Sequence, residues 1–161
     1  MYIRERDKYK GSIWAAEIIA AYQKAFNIPW WRMAISTIAT ALGVGGIFRL
    51  ADMTYEEMTD EDEEYFICDF LAKDLTDLET YVNVKFDCDN FEARLMGLIQ
   101  CDLKLAAKPI YSTWVEYWEN GIRKGHALLS YYKAGVVRTV EPQNDKVYVP
   151  LSKYQLSLVK G

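Results

Sequence analysis

The chain has 161 residues, of which 51% are apolar and 26% charged, a composition that fits one folded domain with its own core. Its formal charge is -4 and its basic residues are scattered, which argues against a nucleic-acid partner, since phosphate binding needs clustered Lys and Arg. The longest uncharged run, Met33 to Phe48, is shorter than the roughly 20 apolar residues of a membrane span and reads as a buried core helix instead.

Taken in order, the residues from Met1 to Lys10 are charged throughout and show no secretory signal. Ser12 is a candidate N-cap for a helix over Ile13–Phe26, which Asn27-Ile28-Pro29 ends. A second helix is predicted from about Trp30 to Leu42, stopped by Gly43, Gly45 and Gly46. No strand feeds that glycine stretch and no Gly-Lys-Ser/Thr follows it, so it does not match a nucleotide-binding loop. Thr54-Tyr-Glu-Glu and Thr59-Asp-Glu-Asp resemble helix starts, with the acidic run Asp60–Glu64 a solvated face and the helix reaching about Ala72. An extended segment is expected over Thr80–Phe86, then an amphipathic helix from Asp89 to about Ala107. After Pro109 the residues become β-branched and aromatic. Tyr111–Trp118, Gly125–Tyr132, Val136–Glu141 and Lys146–Pro150 read as strands, with turns at Asn120-Gly121, Gly135 and Gln143–Asp145. The expected layout is α+β: a helical first two thirds packed on a small antiparallel sheet from the last third.

The chain is organised around Lys85–Ala93, where Cys88 lies between Asp87 and Asp89 at a predicted helix start, with Asp89 or Asn90 as cap. The unpaired N–H groups and dipole of a helix N-terminus favour thiolate over thiol. The same residues also suit a plain helix start with Cys88 as a small buried apolar side chain. His126, the chain's one histidine, follows Cys88, and Glu141 follows His126 at the end of the next predicted strand. A cysteine at a helix start, a histidine on a strand and a carboxylate on its neighbour form an arrangement in which imidazole takes the thiol proton and the third group orients the ring.

Three blocks, Phe86–Ala93, Gly125-His126-Ala127 and Glu141–Asn144, together resemble the papain-like cysteine peptidase family that includes the catalytic half of a fairy-ring mushroom agglutinin, with relatives in bacteria and phages. The resemblance covers roughly residues 81–145 and implies a papain-like core over 81–161 behind a helical subregion over 1–80, within one domain. It implies Cys88 as nucleophile, His126 as general base and then acid, Glu141 as orienting residue, and Gln143 near the site. It also implies calcium, with Asp87, Asp89 and Asn90 as candidate ligands, although Asn90 and Glu92 depart from the family's usual Asp and Ala. Trp114, Tyr117 and Trp118 are candidates for lining a groove.

The resulting expectation is a thiol hydrolase that cleaves an amide or ester of a protein or peptide substrate through an acyl-enzyme. The alternative is a non-catalytic phage or bacterial accessory protein, or a virion-associated one, that binds a host protein through this scaffold. Trp30-Trp31 and the acidic face would then form its interaction surface. A third reading is a zinc site built from Cys68, Cys88, Cys101 and His126, although no tight ligand pair occurs among them. The odd, unpaired cysteine set and the absence of a signal lead to an expected location in the bacterial cytoplasm or on the virion.

Overall fold

The computed structural model of the protein describes residues 12–50, 52, 54–82 and 87–161. Its elements in chain order begin with strand β1 (Ser12–Trp14), helix α1 (Ala15–Ala25) and helix α2 (Trp30–Ala41). Two short strands follow, β2 (Phe48–Arg49) and β3 (Thr54–Glu56). Helix α3 (Asp60–Glu64) runs into a π-helical stretch (Tyr65–Leu71) and α4 (Ala72–Asp74), and a 3-10 turn covers Thr76–Leu78. After α5 (Cys88–Cys101) come β4 (Ile110–Glu119), β5 (Ile122–Lys133), β6 (Val136–Glu141), β7 (Lys146–Tyr148) and β8 (Gln155–Lys160).

The centre is a six-stranded sheet in the order β2-β8-β4-β5-β6-β7, and β1 pairs separately with β3. Two-residue turns join the long strands. Asn120 and Gly121 (φ 52 and 76) connect β4 to β5, and Ala134 and Gly135 (φ 48 and 83) connect β5 to β6. Two consecutive positive φ angles match the right-handed twist of the flanking strands, so both turns suit tight hairpins. The pairing places Val115 opposite His126 and Leu129 opposite Val140.

Both faces of the sheet are covered. On one, Ile18 and Tyr22 of α1 and its C-cap Phe26 pack with Tyr111, Val115, Leu128, Leu156 and Val159. On the other, Leu95 and Ile99 of α5 pack with Leu129, Tyr131, Val140 and Phe66. Double coverage explains why Ala127–Tyr132 is a continuous buried run rather than an alternating one. On the α1 face, Tyr22 Oη meets Ser130 Oγ at 2.5 Å, and Ser130 Oγ also bonds Thr113 Oγ1, so three buried hydroxyls satisfy one another.

This corrects the expected architecture. A helical papain-like layout with a small sheet confined to the last third is not what the chain forms. Phe48-Arg49, from the first half, pairs in parallel with β8, and β8 itself was not anticipated. Ser12 lies in β1 rather than capping α1, whose N-cap is Trp14. Thr54-Tyr55-Glu56 is a strand because Ile13 pairs with Tyr55 and both side chains pack on the α1 core. Thr59 does cap α3, with a reciprocal bond to Asp62. The helix from Cys88 stops at Cys101, short of Ala107, where the Asp102 carboxylate accepts from the N–H groups of Lys104 and Leu105 and turns the chain. The expected extended segment falls in part on residues 83–86, which lie outside the described residues.

Candidate functional site

The N-cap of α5 is Asp87, not Asp89 or Asn90. Its side chain accepts from the Asn90 N–H while Asn90 Oδ1 accepts from the Asp87 N–H at 3.2 Å. The box places half-buried Cys88 at the first helical position, where no i–4 carbonyl takes its N–H. Leu95 and Ile99, two and three turns on, pin the helix to β5 and so bring its start towards His126.

His126 and Glu141 arrive from paired strands. His126 Nε2 and Glu141 Oε2 are 2.6 Å apart, with side chains only 15% and 14% exposed. That contact leaves Nδ1 for the sulfur, and the Cys88 thiol and the His126 ring hydrogen-bond one another. The structure thus joins Cys88, His126 and Glu141 in one chain.

The electrostatics follow from these contacts. The hydrogen bond to His126 holds the Cys88 thiol below the ordinary cysteine range. The Ala127 backbone and the imidazolium charge assist, against burial and the Asp87 charge, which push it up. Burial alone would lower the His126 imidazole, but its bonds to Cys88 and Glu141 and their negative charge prevail and push it up to about 9. Shifts in opposite senses favour a thiolate–imidazolium pair, which raises the ionised fraction of the sulfur and so its reactivity towards electrophiles near neutral pH. Glu141 Oε1 is buried and accepts no hydrogen bond among the described residues, so one lone-pair site beside the ring stays unused.

The other anticipated residues are placed differently. Gln143 is half-buried in the turn over Glu141–Asp145 and makes none of the bonds that join the three. Trp114 is 41% exposed on β4, and its indole bonds Glu92 rather than the histidine. Trp118 is exposed near the β4–β5 turn, opposite Arg123. Asp87 and Asn90 are engaged in the capping box, and among the described residues no group of three or more His, Cys, Asp or Glu is placed to hold a metal ion. The zinc reading fails on the same geometry, because Cys68 and Cys101 are exposed and form no such cluster with Cys88 and His126.

Two features were missed. Tyr154 packs its ring 6.4 Å from the His126 ring and bonds Tyr148, walling the imidazole. Glu92, one turn after Cys88, is 4% exposed, and burial pushes its carboxyl up against the bonds from Ser112 and Trp114. No motif announces Tyr154. In the sequence Glu92 stood only as a departure from the family's usual Ala, placed away from the helix face that carries Phe91 and Leu95, and its burial was not expected.

No family model matches this chain, and no curated protein matches it. Two solved structures share the fold. A complex of PSL1a with E64 matches 93% of this chain and 51% of its own, at 14% identity and a TM-score of 0.63. The Polyporus squamosus lectin bound to the human-type influenza-binding epitope Neu5Acα2-6Galβ1-4GlcNAc matches 93% of this chain and 49% of its own, also at 14% and 0.63. The chain therefore spans about half the length of these lectin chains. The finding overturns the resemblance to a papain-like peptidase family, and with it the thiol-hydrolase assignment. The likeness extends over nearly the whole chain and about half of each of those chains, while the peptidase reading stood on three short blocks. No helix of the described residues is long and apolar enough to cross a membrane, and the charge of -4 gives no basis for a nucleic-acid partner.

Proposed function

We propose that this chain is a binding protein for a carbohydrate-bearing partner, a glycan or a host glycoprotein, and that Cys88, His126 and Glu141 form a reactive ligand site within it. The observation that carries the reading is the fold likeness, over 93% of the chain, to a lectin bound to a glycan epitope. Surface chemistry supports it. Trp30, Trp31 and Trp118 are 77%, 51% and 62% exposed, and such flat, rigid, amphipathic rings suit the C–H faces of sugars. A host glycoprotein is also the partner class that suits an accessory or virion-associated protein.

The thiol site adds a second capability to the same reading. A sulfur held as thiolate by His126 captures electrophilic ligands, and the complex of PSL1a with E64 makes that compound the first probe. The test is titration of the protein against immobilised Neu5Acα2-6Galβ1-4GlcNAc and against the same surface without glycan, followed by intact mass after E64. Saturable, glycan-dependent binding supports the reading, and its absence on a broad panel of glycans overturns it. An E64 adduct lost in Cys88→Ala assigns the thiol site, and a protein left unmodified removes it.

A further inference from the structure

Five arginines lie among the described residues. Arg94, Arg123 and Arg138 each pair with a glutamate: Glu79, Glu116 and Glu63. Arg32 and Arg49 form no ion pair among the described residues, and both line one cleft of about 460 Å³ between α2 and the β2–β8 edge of the sheet. Among the described residues no Asp or Glu lines that cleft. In a chain of net charge -4, two unneutralised guanidinium groups on one concavity make a local positive field aimed at an anion.

The cleft is also ordered. Arg32 Nη2 donates to the Leu156 carbonyl at 3.0 Å, which fixes one guanidinium against β8. The Arg49 guanidinium lies over Gly45, whose φ is +91 and where any Cβ would collide with it, so the glycine makes the room that Arg49 occupies. Ser36, one turn on from Arg32, takes the Ile47 N–H at 2.7 Å and holds the loop onto α2. The half-exposed indole of Trp31 and the side chain of Ile35 supply an apolar wall, and Ser157 Oγ, which donates to the Trp114 carbonyl at 2.9 Å, keeps acceptor capacity for a hydroxyl. A carboxylate between two guanidinium groups, with a ring face against an indole and a hydroxyl near a serine, describes an acidic sugar.

We infer that the α2–β2–β8 cleft binds a carboxylate-bearing saccharide, with the carboxylate on Arg49 and Arg32 and the sugar ring against Trp31. The inference rests on the carbohydrate reading proposed above and narrows it to one site and one ligand chemistry. The cleft is separate from the thiol site, because none of its lining residues belongs to the Cys88–His126–Glu141 chain.

The test uses free N-acetylneuraminic acid and its uncharged methyl ester, followed by ligand-observed NMR with the full chain, on the native protein and on Arg49→Gln and Trp31→Ala. A charge-assisted bidentate contact predicts that the ester binds about tenfold or more weakly than the acid, and that Arg49→Gln removes this preference. Unchanged thermal midpoint and Cys88 alkylation rate show that the variants remain folded. Trp31→Ala weakens acid and ester alike, which separates the ring contact from the charge contact. Equal binding of acid and ester, or native affinity in Arg49→Gln, overturns the inference. If Neu5Acα2-6Galβ1-4GlcNAc still binds in that case, the carbohydrate reading stands without this site. If no saccharide binds the native protein, the reading falls and takes the inference with it.

Discussion

Replacing His126 with alanine tests the electrostatic account of the thiol. In the native protein burial and the Asp87 charge both push the Cys88 thiol up, and it is low only because His126 hydrogen-bonds it and faces it with positive charge. In His126→Ala both opposing effects remain and only the Ala127 backbone contact still favours thiolate. The thiol then titrates at or above the ordinary value of about 8.5, where roughly 3% is ionised at pH 7. The alkylation rate at pH 7 should fall on the order of tenfold, somewhat less than the loss of thiolate, because a low-pKa thiolate is intrinsically the weaker nucleophile. The assay is iodoacetamide labelling of Cys88 by peptide mass mapping from mildly acidic to alkaline pH, with the exposed Cys68 and Cys101 as internal references. Native Cys88 should label across the neutral range with a shallow pH dependence, and the variant only as pH rises towards and past 8.5. Identical rate profiles for the two proteins would refute the thiolate–imidazolium pair.

Glu141→Gln removes one of the two partners, after Cys88, that hold His126 high. A histidine raised from 6.5 to about 9 contributes stability that is present below 6.5 and lost as pH rises through 9, so the variant should lose part of that component in thermal melts across this window. Asp145 is pushed up to about 7 by burial and by the charges of Asp74 and Asp77, so folding must oppose its ionisation. Asp145→Asn should gain about 1–2 kcal/mol above pH 7, after allowance for solvent screening, and gain nothing from charge below pH 4. Any pH-independent remainder reports the tolerance of Asn for the positive φ of 55 at this position. Lys133 ties Glu63 of α3 to β5, and the loss of that half-shielded pair should cost about 1 kcal/mol at neutral pH in denaturant titrations of Lys133→Met. That loss should vanish in acid, because the Glu63 carboxyl is held below its usual range by Lys133, Tyr131 and Arg138 despite burial, and protonation ends the attraction. Tyr22→Phe removes one of the two partners of the buried Ser130 hydroxyl, which keeps its bond to Thr113, and should cost about 1 kcal/mol, read by the same titration.

Much of the local structure was legible because it obeys short-range rules. Pro29 fixes the start of α2, Asn120-Gly121 the first long hairpin, and Thr59 the cap of α3. The meeting of Cys88, His126 and Glu141 was legible too, from a helix start and two adjacent strands in the right order. The sheet's true extent was not. β2 has two residues with no pattern of their own and exists only because β8 offers it a parallel edge, a pairing between residues more than a hundred positions apart. Thr54–Glu56 carries a helix-start pattern and is overridden by the tertiary contact of Tyr55 with Tyr111. Nor did Arg32 and Arg49 stand out, because their lack of an ion-pair partner among the described residues is a property of the fold. The functional assignment failed for a different reason. Three short blocks located a site, but a site's residues do not name the activity of the scaffold that carries them, and that scaffold is shared with a lectin.

The most direct test of the binding reading is a calorimetric or surface-based titration of the native chain with Neu5Acα2-6Galβ1-4GlcNAc, the epitope held by the structurally similar lectin. A saturable isotherm, competed by the free trisaccharide, is the required result. A flat titration here and across neutral and acidic glycans, from a protein whose Cys88 still labels fast at pH 7, would contradict it and leave a reactive-thiol protein without a carbohydrate partner.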